Sequence, residues 1–292
     1  MGIVTKINYL FLSELSPRLA TQLMYYGNFK KMANLSNPKT LNEKICWLKL
    51  NVYKNKQLIS DCADKLKVRD YVAKYDDKIL NELYGVWNCS EDINWESLPN
   101  KFVIKLNHGA GYNIICKDKN SFDIKSAKTK IDKWLNHDFW KIAAELQYKN
   151  IEKKIIAEKF IETSDNELPN DYKIYCFHGI PKYIMSCEER IKSNAKFYYF
   201  DLEGNLLPYS DDSIAAINEK KQIALPDNFT EMIEIAKKLS KDFEFVRVDL
   251  YSEFEKIIFG ELTFTPGAGV DSERIPEVDL LLGELLNLER KS

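Results

Sequence analysis

The chain has 292 residues, 45% of them hydrophobic and 29% charged, which suits one large globular domain or two ordinary ones with a substantial core. Lys and Arg number 42 against 44 Asp and Glu, a formal net charge of −2 with no long single-sign block, so the basic footprint of a nucleic-acid binder is missing. No stretch approaches the ~18 uncharged apolar residues of a membrane span.

The opening run INYLFL is interrupted by Glu14 too soon to serve as a secretory core, and a cytoplasmic protein without a transmembrane segment is expected. The six cysteines form no CxxC pair, so reduced thiols are expected rather than zinc or a disulfide framework. In NPKTLNEKICWLKLN, Thr40 and Glu43 make a capping-box pattern, after which Leu41, Ile45 and Leu48 recur at helical spacing. A second helix is expected over DCADKLKVRDYVAKY, followed by the loop-like GVWNCSEDINWESLPN. Residues 1–100 thus read as mainly helical.

From Lys101 the texture turns to strands, KFVIKL and IICK, joined by the glycine-bearing loop NHGAGYN. A helix is expected from Ser126 to Tyr148, with Ile131, Trp134, Leu135 and Trp140 as core positions; Trp47 is likewise read as core. The strand IIAEKFIE follows, then DYKIYCFHGIPKYIMSCEER as a hairpin turning at Gly179–Pro181. A helix near Phe229–Lys241 precedes FVRVDLYSEFEKIIFGELTFTPGAG, and PEVDLLLGELLNL closes the chain as a helix. Strands and helices are interspersed without regular βαβ alternation, which makes the fold class α+β. The glycine loop is neither GxGxxG nor a GK[ST] loop, so the two common nucleotide fingerprints do not apply.

Two acids stand out in the segment that begins at Phe245. Residues two apart on a strand share a face, so Arg247 and Asp249 point one way and Val246, Val248 and Leu250 the other. On the next strand Glu261 shares a face with Thr263, opposite Ile258, Leu262 and Phe264. A hairpin turning around Glu255 pairs 249 with 261, 247 with 263, 248 with 262 and 246 with 264. Opposed residues have Cβ atoms about 4.5–5.5 Å apart, and like charges so placed repel. A cation is therefore expected between them: two carboxylates suit Mg²⁺, which uses one or two plus substrate phosphates. The alternative is a solvent-facing pair of acids, or a pair bonded to Arg247.

An R-x-D strand, an E-x-T strand and a closing T-P-G together resemble the metal-binding end of the ATP-grasp superfamily. More closely, NPKTLNEKICWLKL, DKLKVRDYV, LPNKFVIKLNHGAGYN, DYKIYCFHGIPKYI and the Val246–Gly269 stretch look like its TupA-like branch, associated with teichuronopeptide and surface-polysaccharide assembly. The resemblance implies an ATP-grasp fold: helical residues 1–100 contributing to the substrate site, a small subdomain over 101–165 and a large one over 166–292.

It also implies roles. Lys65 and Lys105 would touch the phosphates or the adenine edge, and His108, Gly109, Ala110 and Gly111 would cover the phosphates with backbone N–H groups. Glu158, Lys159, Phe160 and Ile161 would form the adenine hinge, with Asp171 near the ribose and Lys173 on the following strand. Asp249 and Glu261 would hold Mg²⁺ with Thr263, which stands where many members carry Asn, and Arg247 would stabilise the reacting centre with Lys105. Lys65 and Lys173 also read as solvated lysines, His108 as a general base or a loop residue, and Arg190 as a surface charge or a phosphate contact.

The implied activity is an ATP- and Mg²⁺-dependent ligase joining a small or sugar-linked carboxylate to an amine or amino acid. A sugar or carboxylate kinase, or a non-catalytic or glycosyl-transferring component of the same machinery, is the alternative.

Overall fold

A computed structural model describes residues 11–164, 168–188 and 195–288. The INYLFL run up to Leu10, and Arg190, lie outside the described residues. Helix α1, Pro17–Phe29, starts where the Ser16 hydroxyl accepts from Leu19 N–H and Pro17 takes the first helical position. Helix α2, Leu41–Asn51, carries both halves of the expected capping box, and Leu41, Ile45 and Leu48 are buried. The second expected helix is broken into α3, Gln57–Ala63, and α4, Val68–Ala73. Asp64 causes the break, since its carboxylate accepts from Leu66 N–H at 2.8 Å and Asn107 Nδ2 at 2.9 Å, an alternative to helical bonding.

A four-stranded antiparallel sheet follows, ordered β1-β4-β2-β3, from β1 Leu83–Trp87, β2 Phe102–Leu106, β3 Asn113–Cys116 and β4 Ile155–Lys159. β1 falls partly in the stretch read as loop; it is half-buried apart from the exposed Val86, so no regular alternation betrays it. Helix α5, Ile124–Leu135, buries Ala127 and Ile131 in a core with Phe102, Ile104 and Ile155. The long helix expected to Tyr148 ends there: Asn136 caps it, a short α6, Trp140–Ala143, follows, and Ala144 at φ 52° turns the chain into a single 3₁₀ turn, Leu146–Tyr148.

The second sheet has six strands ordered β10-β9-β5-β6-β7-β8. They are β5 Asp171–Phe177, β6 Ile180–Glu188, β7 Lys196–Phe200, β8 Leu206–Leu207, β9 Phe245–Glu253 and β10 Lys256–Thr263. After β8 comes α7, Asp211–Asn218; α8, Phe229–Ser240, packs Met232, Ile235, Ala236 and Leu239 into the main core with Ile174, Val246 and Val248. Helix α9, Pro276–Glu284, lies so close to α2 that a Cβ on Gly283 would sit 2.0 Å from Lys39 O. The β5–β6 turn is His178–Gly179, not Gly179–Pro181: both residues take positive φ, 50° and 76°, as a two-residue hairpin turn requires, and Pro181 lies within β6 opposite Cys176.

In the last hairpin Asp249 pairs with Glu261, Val248 with Leu262 and Arg247 with Thr263, as the sequence pattern requires. The route to that register differs from expectation. The turn is Phe254–Glu255, both at positive φ, and a bulge at Gly260 shifts the strand by one residue before the acids. The bulge turns Ile257 and Phe259 into the core and leaves Ile258 on the opposite, half-buried side, which corrects its placement with Leu262. The expected pairing of Val246 with Phe264 is not formed because β10 ends at Thr263; Phe264 packs its ring against Tyr53 and Phe243.

A Cβ on Gly260 would lie 2.9 Å from Asp249 O and 3.1 Å from Tyr251 Cε2. Gly260→Ala is therefore expected to destabilise the chain by about 1–3 kcal/mol through overpacking, read as a lower urea midpoint at unchanged slope. An unchanged midpoint would refute the tight bulge. All six cysteines are free thiols, five of them buried, and no helix among the described residues is long and apolar enough to cross a membrane.

Candidate active site

Three adjacent strands of the six-stranded sheet bring the site residues into rows on one face. Glu261, Asp249 and Lys173 lie side by side, with Thr263, Arg247 and Tyr175 in the next row and Asp171 beyond Lys173. Arg247 donates from Nε to Asp249 Oδ1 at 2.7 Å and from Nη2 to Oδ2 at 2.6 Å, and also reaches Thr263 Oγ1 at 3.3 Å. Lys173 joins Asp249 Oδ2, at 3.0 Å, to Asp171. Lys65, carried by the turn that Asp64 creates between α3 and α4, pairs with Glu261 Oε2 at 2.6 Å. The Thr263 hydroxyl donates to Glu261 Oε1 at 3.3 Å.

Each acid thus has its own cations, so both readings of Asp249 meet here: it bonds to Arg247 and it faces Glu261. Lys65 beside Glu261 holds that carboxyl well below the usual range against the opposing effect of burial. Burial pushes the Asp249 carboxyl up, while Arg247 and Lys173 pull it down. Burial also disfavours the Lys65 and Lys173 ammonium groups, but the acids beside them outweigh it and raise both above an ordinary lysine.

The four-stranded sheet supplies the facing wall. Lys105 on β2 pairs with Glu158 on β4 at 2.6 Å, and Arg69 of α4 holds the other Glu158 oxygen at 3.3 Å. The loop after β2 is tied down by Asn107, whose Nδ2 donates to Asp64 and to Glu152 O, and whose carbonyl accepts from Lys65 N–H at 3.1 Å. His108 and Gly109 are buried while Ala110 and Gly111 are exposed. Burial, aided by nearby Lys153, lowers His108 to about 4, so it is neutral near pH 7. A Cβ on Gly109 would sit 2.5 Å from the Phe139 ring, so only glycine lets that ring cap the loop.

At the end of β4 the Lys159 carbonyl accepts from Asn81 Nδ2 at 2.8 Å. Lys159, Phe160 and Ile161 line a cavity of about 140 Å³ with Asn81, Lys105 and Tyr251. Ile258, turned outward by the bulge, lines a larger groove of about 710 Å³ beside the same hinge.

Sequence reading missed four residues that shape this space. Arg69, Asn81 and Asn107 act through partners far along the chain. Tyr148 sets its ring edge-on to Phe139 at 5.2 Å and feels the charges of Glu145, Glu261, Arg247 and Asp249, which places it between the glycine loop and the acids. Behind the site, α2 supports the turn Pro266–Gly269: Lys49 Nζ donates to Ala268 O at 3.0 Å and Cys46 Sγ to Gly269 O at 3.2 Å. A signal was present in α2, where Lys49 falls at helical spacing among the buried Ile45, Cys46 and Leu48.

No group of three His, Cys, Asp or Glu among the described residues is placed to hold a metal. Asp249 and Glu261 are two hard oxygen donors, already compensated by cations, and that set fits Mg²⁺ sharing phosphate ligands with a nucleotide.

No curated protein matches the chain significantly. Among solved structures it is similar to D-alanine–D-alanine ligase from Bacillus anthracis, with 18% identity over 77% of this chain and 64% of that one at a TM-score of 0.46. The Helicobacter pylori D-alanine–D-alanine ligase gives 16% identity, 78% and 61% coverage and a TM-score of 0.43. L-amino acid ligase from Bacillus licheniformis gives 12%, 73%, 43% and 0.41. These likenesses are loose, and the chain spans less than two thirds of the length of each of the three proteins. A family model described as TupA-like ATPgrasp, by contrast, matches residues 43–287, a span that holds most of α2, the glycine loop, the hinge and the acid hairpin, and the chain belongs to that family.

Proposed function

We propose that the protein is an ATP-dependent carboxylate–amine ligase that works through an acyl phosphate and releases ADP. The observation that carries this reading is the opposed pair Asp249–Glu261 with Arg247 beside it on one sheet face. The resemblance to the teichuronopeptide branch supports a uronic-acid-type carboxylate and an amine or amino acid, in surface-polysaccharide synthesis in the cytoplasm, where ATP is made. Residues 101–165 with β1 form the small subdomain and 166–292 the large one; 1–100 buttress the site through α2.

A carboxylate is anionic and resonance-stabilised, so it must be activated before an amine can attack it. One carboxylate oxygen takes the γ-phosphoryl group of ATP as the bond to the bridging oxygen breaks and ADP leaves. The amine then attacks the carbonyl carbon, the phosphate departs with its oxygen, and the amine nitrogen gives up a proton. Asp249 and Glu261, with Thr263 alongside, would hold Mg²⁺, which would supply the positive charge that lets two anions approach.

The chain's own residues do the rest. Lys65, Lys105 and Lys173 exchange their carboxylate partners for phosphate oxygens. Arg247, buried and forked, orients the substrate carboxylate and stabilises the oxyanion of the second step. The glycine loop, capped by Phe139, keeps water from the acyl phosphate. The hinge at Lys159 to Ile161 and the cavity it lines take the adenine, with Asp171 toward the ribose.

The test is ADP release with Mg·ATP and a panel of uronic acids, their nucleotide-sugar forms and amines. Release is expected only when both partners are present; a phosphorylated product formed without amine would move the assignment to a kinase. Mg·ATP at 100 times its dissociation constant should stabilise the protein by about 2.7 kcal/mol. Absence of any melting shift would instead favour a non-catalytic role.

A further inference from the structure

The row that holds Thr263 and Arg247 does not stop at β9. It continues through Tyr175 on β5 to Tyr183 on β6, and the neighbouring row runs from Lys173 through Met185 to Tyr199 on β7. Tyr175, Tyr183 and Tyr199 are almost fully buried on the same sheet face as the candidate active site. Their rings are in register: Tyr175 stacks on Tyr183 at 4.4 Å, and Tyr183 and Tyr199 lie 5.8 Å apart. Arg247 sits over the Tyr175 ring at 5.8 Å.

The polar ends of this cluster are unusual for a core. The hydroxyls of Tyr183 and Tyr199 are buried and bond to nothing in the structure, and neither does Arg274 Nε. Leaving a buried donor without an acceptor is costly, and such groups call for a bound partner. Burial pushes both tyrosines well above their ordinary pKa, so they stay neutral, able to donate and to accept.

The charge around them selects what they bind. Arg274 is completely buried and forked between Asp271 at 2.6 Å and Asp279 at 3.1 Å. One arginine set against two acids leaves no surplus positive charge for a further anion. Neutral hydroxyl groups, which both donate and accept, fit. The Asp271–Ile275 segment reaches the edge of the cluster: Ile275 N–H bonds to Tyr209 O at 3.2 Å, and the Tyr209 ring lies 6.0 Å from Tyr183 and 5.9 Å from Tyr199.

We propose that Tyr183, Tyr199 and Arg274 form a subsite for the ring hydroxyls of a sugar-like substrate whose reacting carboxylate lies at Arg247. This rests on the ligase reading and adds to it the place where the carboxylate substrate is recognised.

The experiment is calorimetric titration of the whole chain, saturated with Mg·ADP, with D-glucuronate and with cyclohexanecarboxylate, which carries the same charge without hydroxyls. Wild type is expected to bind glucuronate more tightly. Tyr183→Phe and Tyr199→Phe should each weaken glucuronate about three- to tenfold, the loss of one neutral hydrogen bond, and leave cyclohexanecarboxylate within about twofold. Without ligand, both variants should melt at or above the wild-type temperature, because an unpartnered hydroxyl has been removed; a lower temperature would mean the hydroxyls are structural and overturn the proposal. It is overturned equally if wild type shows no preference, or if the variants keep the wild-type margin. The Mg·ATP melting shift separates the two readings: a shift that persists while the preference is missing removes only the subsite, whereas no shift in wild type removes the ligase assignment.

Discussion

Asp249→Asn is expected to lower turnover by about a thousandfold or more while the chain remains folded, a loss on the order of that for removing a preorganised electrostatic group. Asparagine keeps one oxygen for Arg247, whose fork held two, and Lys173 keeps Asp171. The buried Arg247 loses its anion, so the unliganded melting temperature should fall, by less than for Arg247→Leu because burial already disfavours the ionised Asp249. What the variant loses is the Mg²⁺-dependent part of the ATP-induced melting shift. Turnover within tenfold of wild type would show that the acid is not part of the reacting centre. Unfolding would show that the row of charges serves the sheet.

Arg247→Leu is the complementary case. It removes the fork that binds both Asp249 oxygens in a buried setting and leaves that carboxylate with Lys173 alone. Breaking a buried pair from one side costs about 3–5 kcal/mol, which for a chain of this size lowers the melting temperature by about 6–20 °C. Turnover should vanish with it. Arg247→Lys restores the charge but not the planar fork, so it should recover much of the stability and little of the turnover. If the two variants are equally stable and equally active, Arg247 acts as neither clamp nor catalyst.

Much of this was legible along the chain. The α2 capping box is local chemistry, readable within four residues, and the strand alternation of β9 and β10 could place Asp249 and Glu261 face to face because only one register buries the apolar positions. That register nevertheless arises from a turn one residue shorter and a compensating bulge at Gly260, which pattern alone does not distinguish from a turn centred on Glu255. Helix breaks were the weak point. Asp64 and Asn136 interrupt runs whose apolar spacing is continuous, the first through a side-chain bond to Asn107 of a distant loop, and after the second the left-handed Ala144 ends the short α6 as well.

By itself, the sequence determined the hairpin, the order of the motifs, the α+β class and the family, because these depend on spacing and alternation within short windows. The tertiary structure alone decided which cation serves which acid, that Arg69 and Asn81 hold the hinge, that Tyr148 stands between loop and acids, and that three tyrosines extend the site face. Those pairings join residues up to 196 positions apart, as Lys65 to Glu261 does, and only the packing of helices and sheets brings such groups within hydrogen-bond reach.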